Sequence, residues 1–261
     1  MFTANKKKSI LYRLLMMVLS VSSVILLLAA YRAVALANPL LLPSFEQIGE
    51  RFVKLFTTPI KGVPLTAHVI ASLRRVLIAM GFAWVLGILF GFSIGWSRTL
   101  NAIFGTIFEL FRPIPPIAWI PIVIMWFGVG EFPKELIVFI GSVIPVVVNT
   151  RSGVMYVEKQ YTDVARAFGA SRLQMLKEVV LPSAIPSIFA GLRTSVSTGW
   201  TVVLAAEMLA ADRGVGALVM RGWMGNDMAL VLISISVIAI IGAILSFTLI
   251  KLEKVVCPWM H

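Results

Sequence analysis

Charge is scarce in this chain: Asp, Glu, Lys and Arg make up 13% of its 261 residues, against 59% hydrophobic residues. So few charges cannot cover the surface of a soluble domain, and an integral membrane protein is the class that remains. Cysteine is nearly absent. The single Cys257 excludes an internal disulfide framework and any cysteine-ligated cluster within one chain. The two histidines, His68 and His261, stand far apart in the sequence, so no metal site is expected. The chain has no G-x4-G-K-S/T phosphate loop and does not bind ATP by that device. It also lacks H-E-x-x-H and paired aspartates inside its apolar runs, constellations a membrane-embedded enzyme could use. No catalytic residue and no cofactor is expected.

What charge there is leans to one sign, with 23 basic residues against 12 acidic ones, a net +11. A nucleic-acid ligand and the positive-inside bias of membrane loops both produce such an excess; the apolar runs favour the second, so a lipid bilayer is the expected partner and nucleic acid is not. Uncharged runs long enough to cross hydrocarbon are predicted at Leu14–Tyr31, Val76–Ser97, Pro113–Gly130 and Ala229–Ile250. Two interrupted runs, Leu136–Thr150 and Ile185–Leu209, complete six crossings, the last of them carrying Arg193 and Glu207. The expected fold class is therefore an all-α polytopic membrane protein. Lys6, Lys7, Lys8 and Arg13 put the amino terminus in the cytoplasm, and counting crossings puts Arg98, the Arg151–Ala184 loop and Lys251/Lys254 there as well. The outer segments also hold Arg51, Lys54, Lys61, Arg74 and Arg75, so the charge bias supports this orientation without being clean. The first run with Ala35-Leu-Ala37 resembles a cleavable secretory signal, but its core is long for one and an uncleaved anchor is the expected reading; either choice leaves the downstream orientation unchanged.

Several local patterns carry structural expectations. Ser44 with Gln47 three residues later opens an amphipathic external helix whose apolar face is Phe45, Ile48, Phe52, Leu55 and Phe56. Gly87, Gly91 and Gly95 form a small-residue stripe that lets another helix pack closely. Prolines from Pro113 to Pro121 break or kink the third span, beside a solute path or for packing alone. Glu207, near the outer end of the fifth span, is expensive in the bilayer unless paired or hydrated; it lines a translocation path or gate, or pairs with a basic residue of another helix, and the pair fits better. Arg193 and Asn149 are the other candidates for that path, against the plainer readings of a snorkelling arginine and a packed amide.

The loop between the fourth and fifth crossings reads as helix, sharp turn, helix. Tyr161–Phe168 is stopped by Gly169; Ser171 and Gln174 form a capping box that restarts a helix with an apolar face of Leu173, Leu176 and Val180; Pro182 ends it. A rigid protrusion joined directly to two spans can transmit force.

Here the sequence resembles the permeases of ABC importers, whose cytoplasmic signature is E-A-A-x3-G-x9-I-x-L-P. The spacing matches at Asp163, Val164, Ala165, Gly169, Val179, Leu181 and Pro182, with Asp for Glu shortening the carboxylate arm. Arg112-Pro-Ile-Pro-Pro-Ile-Ala-Trp-Ile-Pro121, Trp126-Phe-Gly-Val-Gly130 and Ala206-Glu-Met-Leu-Ala-Ala-Asp-Arg-Gly214 resemble the nitrate/sulfonate/taurine branch. The resemblance implies a type I importer permease in a bacterial inner membrane, both termini cytoplasmic. Its partners would be a second copy, as a homodimer, a cytoplasmic ABC ATPase dimer and an extracytoplasmic solute-binding protein. ATPase coupling would fall to Asp163, Ala165, Arg166, Phe168, Gly169, Leu181 and Pro182. The cargo would be a small anion such as an aliphatic sulfonate, taurine or nitrate, or alternatively a pyrimidine-like vitamin precursor. The implied organisation is an anchor plus external helix over residues 1–75, a permease core over 76–250 with coupling loop 151–184, and a cytoplasmic tail over 251–261. A self-contained secondary transporter is the alternative of a different class; it would require internal repeats and an intramembrane ion relay, which the sequence does not offer.

Overall fold

A computed structural model describes residues 2–38 and 41–258, apart from the side chains of residues 2–11, 13, 14 and 210. The side chains of Lys6, Lys7, Lys8 and Arg13, and all of His261, lie outside that description. Among the described residues the regular structure is helical, with one isolated bridge between Ile60 and Val63. Among the described residues five helices are long and apolar enough to cross a membrane, and a bent pair, counted as one broken span, would make six.

The first helix, α1 (Phe2–Ala37), keeps the most apolar stretch of its candidate span open, as a lipid-facing helix must, and buries Ala35 near its end. Tyr31 ties it to the start of the second helix: its hydroxyl donates to the Pro43 carbonyl at 2.6 Å and its ring lies 4.8 Å from that of Phe45. Helix α2 (Phe45–Thr57) starts on a capping box in which the Gln47 amide donates to Ser44 Oγ and the Ser44 amide donates to Gln47 Oε1. It lies across the bundle end, with Leu55 buried against Leu65, Leu218, Leu230 and Ile233.

Helix α3 (Leu65–Trp96) begins eleven residues before the expected Val76 and crosses the anticipated boundary at residue 75. Hydropathy misplaces that start because Arg74 and Arg75 interrupt the apolar run; both are held inside the folded helix by carboxylates from elsewhere. The third crossing also differs from the expected Pro113–Gly130. It consists of α4 (Arg98–Phe111) and α5 (Pro116–Phe127), bent by 86° across Arg112–Pro115. Proline rings at 113, 115 and 116 remove three helical amide donors within four residues, so a straight span cannot form.

Helix α6 (Glu131–Met155) is the centre of the bundle, sandwiched between α3 and α8 (Arg172–Leu209). The closeness comes from glycines on both sides. A Cβ at Gly87 would lie 2.9 Å from Val146 Cγ1, one at Gly91 2.8 Å from the Val147 carbonyl, and one at Gly95 2.9 Å from Val154 Cβ. On the other face Gly191 meets Asn149 and Pro145, and Gly199 meets Ser142. Two shorter helices follow, α7 (Lys159–Ala167) between α6 and α8, and α9 (Val215–Met224) after α8. The last span, α10 (Met228–Val256), is capped by Asp227, whose Oδ1 accepts from the Leu230 amide.

Pro182 does not end the helix after the capping box: helical structure runs without interruption from Arg172 to Leu209. Met175–Val180 adopts a π-helical turn immediately before it. The wider turn shifts the hydrogen-bond register where the proline has no amide to donate, so the helix passes through. It also moves the buried seam. Met175 and Val180, five residues apart, are buried, whereas Leu173 of the expected face is 57% exposed.

Candidate functional site

The bundle concentrates its polar chemistry at two ends. The end carrying α7 is the loop end. At the opposite end His68, Ser72 and Arg75 follow one another at spacings of four and three on α3, which puts them on one helix face, and all three are buried. Arg75 is the hub. Its Nη1 donates to Glu207 Oε1 at 2.6 Å and to the Arg213 carbonyl at 2.7 Å, while Nε and Nη2 hold both oxygens of Glu131 at 2.7 Å each. That fork-shaped pairing uses the planar geometry of guanidinium, which lysine could not reproduce.

Glu207, 1% exposed, is fully engaged. Ser72 Oγ donates to its Oε2 at 2.7 Å, and the Gly216 amide donates to the same oxygen at 3.0 Å. Because Gly216 lies in the first turn of α9, the carboxylate also sits where the helix dipole favours negative charge. Ser72 Oγ accepts from the Val215 amide at 2.8 Å, and His68 Nδ1 lies 3.1 Å from Gly214, accepting from its amide or donating to its carbonyl according to tautomer. Gly214 closes the arrangement. Its φ of +143° is left to glycine, and a Cβ there would collide with the Glu207 carboxyl.

Lys134 and Arg74 join through Glu131 at 3.3 and 3.5 Å, and Arg74 approaches Glu135 at 3.9 Å. Three cations and three carboxylates thus balance across α3, α6 and α8. Beside them opens a cleft of about 520 Å³, lined by Ile70, Arg74, Lys134, Asp212 and Arg213. Glu207 therefore occupies a closed clamp between helices; the surface beside the clamp, and not the carboxylate, is open. Sequence reasoning passes over Arg75, Ser72 and Glu131. The one-face spacing of His68, Ser72 and Arg75 is the available signal.

At the loop end α7 terminates in a Schellman turn. The Ala170 amide donates to the Ala165 carbonyl at 3.0 Å, the Gly169 amide to that of Arg166 at 2.9 Å, and Gly169 takes φ +75°. Ser171 and Gln174 then cap the next helix reciprocally. Two caps sharing a single intervening residue leave the corner little freedom. Asp163 and Arg166 pair at 3.4 Å on the exposed face, and Phe168 projects with 87% of its surface free. Ala165 is half-buried and packs against the chain's own core. Leu181 is exposed, and Pro182 lines a cleft of about 560 Å³ with Ser152, Tyr156, Glu158, Tyr161 and Ser187.

The other two candidates have partners within the chain. Asn149 Nδ2 donates at 2.8 Å to the Pro145 carbonyl of its own helix, and Arg193 pairs with Glu253 of α10.

Polar groups locked at one end, a glycine-packed apolar middle and a stiff exposed corner at the other are the architecture of a membrane transport subunit. The sequence relationships define it further. The chain belongs to the family described as binding-protein-dependent transport system inner membrane component, matched over residues 83–260. It is 36% identical over 245 residues to the taurine transport system permease protein TauC of Escherichia coli (strain K12), covering 92% of this chain and 89% of that protein. It is 31% identical over 224 residues to the nitrate import permease protein NrtB of Synechocystis sp. (strain ATCC 27184 / PCC 6803 / Kazusa), covering 83% and 81%. Its fold matches a chain of the inward-facing MetNI methionine ABC transporter with TM-score 0.62 at 20% identity, over 74% of this chain and 95% of that one. This is a multi-pass inner-membrane permease component of an ABC importer, of the taurine/nitrate branch.

Proposed function

We propose that this permease imports a small anion of the sulfonate, taurine or nitrate type, driven by a separate ATPase that grips the α7 corner. In this reading the loop end and both termini face the cytoplasm, two copies form the pore, and an extracytoplasmic binding protein delivers the solute to the opposite end. The observation that carries it is the corner itself. Its helix ends are capped by its own backbone and side chains, yet Asp163, Arg166 and Phe168 stay exposed. A rigid, solvent-facing surface fused to α6 and α8 suits a partner that pushes, and taurine and nitrate relatives supply the cargo class.

The test is reconstitution of the chain with its ATPase and binding protein in liposomes. Taurine and nitrate uptake is expected to need ATP and the binding protein. Uptake by this chain alone, driven by an ion gradient, contradicts the assignment. Asp163→Ala is expected to weaken co-purification of the ATPase, and unchanged recovery would return that carboxylate to plain solvation.

A further inference from the structure

We propose that helix α2 is an interfacial anchor. Phe45, Phe52 and Phe56 enter the acyl-chain edge of the leaflet at the clamp end, and the opposite side of the helix stays in water. Two uncharged runs fix its height. Tyr31, whose ring lies 4.8 Å from that of Phe45, is the last residue of the run Leu14–Tyr31, with Arg32 next. That contact therefore sits where the hydrocarbon ends. Further along α2, Leu55 packs on Leu230 and Ile233, both within the first five residues of the run Ala229–Ile250. The helix thus lies level with the ends of two spans, where headgroups meet acyl chains.

Its rotation is fixed as well. Leu55 is buried, Ile48 is half-buried in the same cluster, and Arg51 pairs with Asp227 at 2.7 Å where α10 starts. These contacts leave Phe45, Phe52 and Phe56 outside the bundle, 42–59% exposed. At about 100° per residue the three positions fall within roughly 40° of one another. The rings of Phe52 and Phe56 meet edge to face at 5.2 Å. Glu50 and Lys54, both exposed, lie about 140–180° around the helix from Phe45. The five apolar positions that the sequence groups as one face are thus divided, two for the bundle and three for a partner outside it. An uncharged aromatic stripe at that height fits acyl chains rather than an ionic surface. Through the Tyr31–Phe45 contact it is also continuous with the open, lipid-facing side of α1. Neither the cargo nor the side of the membrane this end faces enters into that placement. So embedded, α2 holds the start of α10 at a set depth through the Arg51–Asp227 pair.

The experiment places one environment-sensitive fluorescent amino acid at position 52, 56 or 54 of the full chain, in proteoliposomes of the assembled transporter. At 52 and 56 the probe replaces one exposed ring with another. Lipids carrying a nitroxide near the glycerol end of an acyl chain report contact with the leaflet edge, and iodide on both sides of the membrane reports water. Quenching by the nitroxide lipid at 52 and 56 is expected to exceed that at 54 about threefold, with the order reversed for iodide. Iodide quenching at 52 and 56 as strong as at 54 overturns the proposal and leaves the stripe to a soluble partner. Shielding of both positions from lipid and iodide alike also overturns it, and assigns the stripe to the second copy. Both readouts are independent of solute uptake, so they stand whatever the liposome transport assay returns.

Discussion

Arg75 and Glu207 look unrelated in the sequence, one a loop charge and the other an isolated intramembrane carboxylate. Hydropathy scores each residue against its chain neighbours, whereas these two are stabilised by each other across 132 positions. Such a pair is costly to halve. Glu207→Gln is expected to lower stability by about 3–5 kcal/mol in thermal unfolding of the detergent-solubilised protein, because Arg75 stays buried beside a lost charge. Combining it with Arg75→Met is expected to cost less than the sum of the single changes; strict additivity would mean that the two do not interact. Gly214→Ala tests the same clamp from the backbone side, since its Cβ would enter the space of the Glu207 carboxyl. The expected outcome is poor accumulation in the membrane, and normal accumulation would remove the turn from the account.

Elements were legible where one rule governed them and obscure where two competed. The apolar runs located six crossings, and both capping boxes and the Gly169 stop were readable because caps depend on residues within a few positions. The continuity of α8 was not readable. Pro182 signals a helix end in isolation, but the π turn before it absorbs the missing donor, and hydrogen-bond register leaves no mark in composition. The bend at Arg112–Pro115 was suggested by its prolines, yet its angle depends on how α5 packs on α6. Helix contact supplies the prediction at this scale. Gly91→Leu is expected to force α3 from α6, costing about 1–3 kcal/mol or more in the same unfolding assay. A neutral result would show that the glycine seam is not close-packed.

Taken whole, the molecule is a stiff bundle with its polar groups fastened at one end and a handle at the other. The clamp joins α3, α6, α8 and α9, and in the proposed coupling a displacement of the α7 corner would reach the far end through these joined helices. Gly169→Pro is expected to leave membrane insertion intact and abolish ATP-dependent uptake, because proline fixes φ near −65° where the corner needs +75°. The most direct measurement places a photo-crosslinking amino acid at position 168 of the full chain in membranes containing the assembled transporter. The account predicts an ultraviolet-dependent adduct with the ATPase subunit that changes in yield when ATP is added. An adduct only with the binding protein, or none with any protein partner, would contradict it.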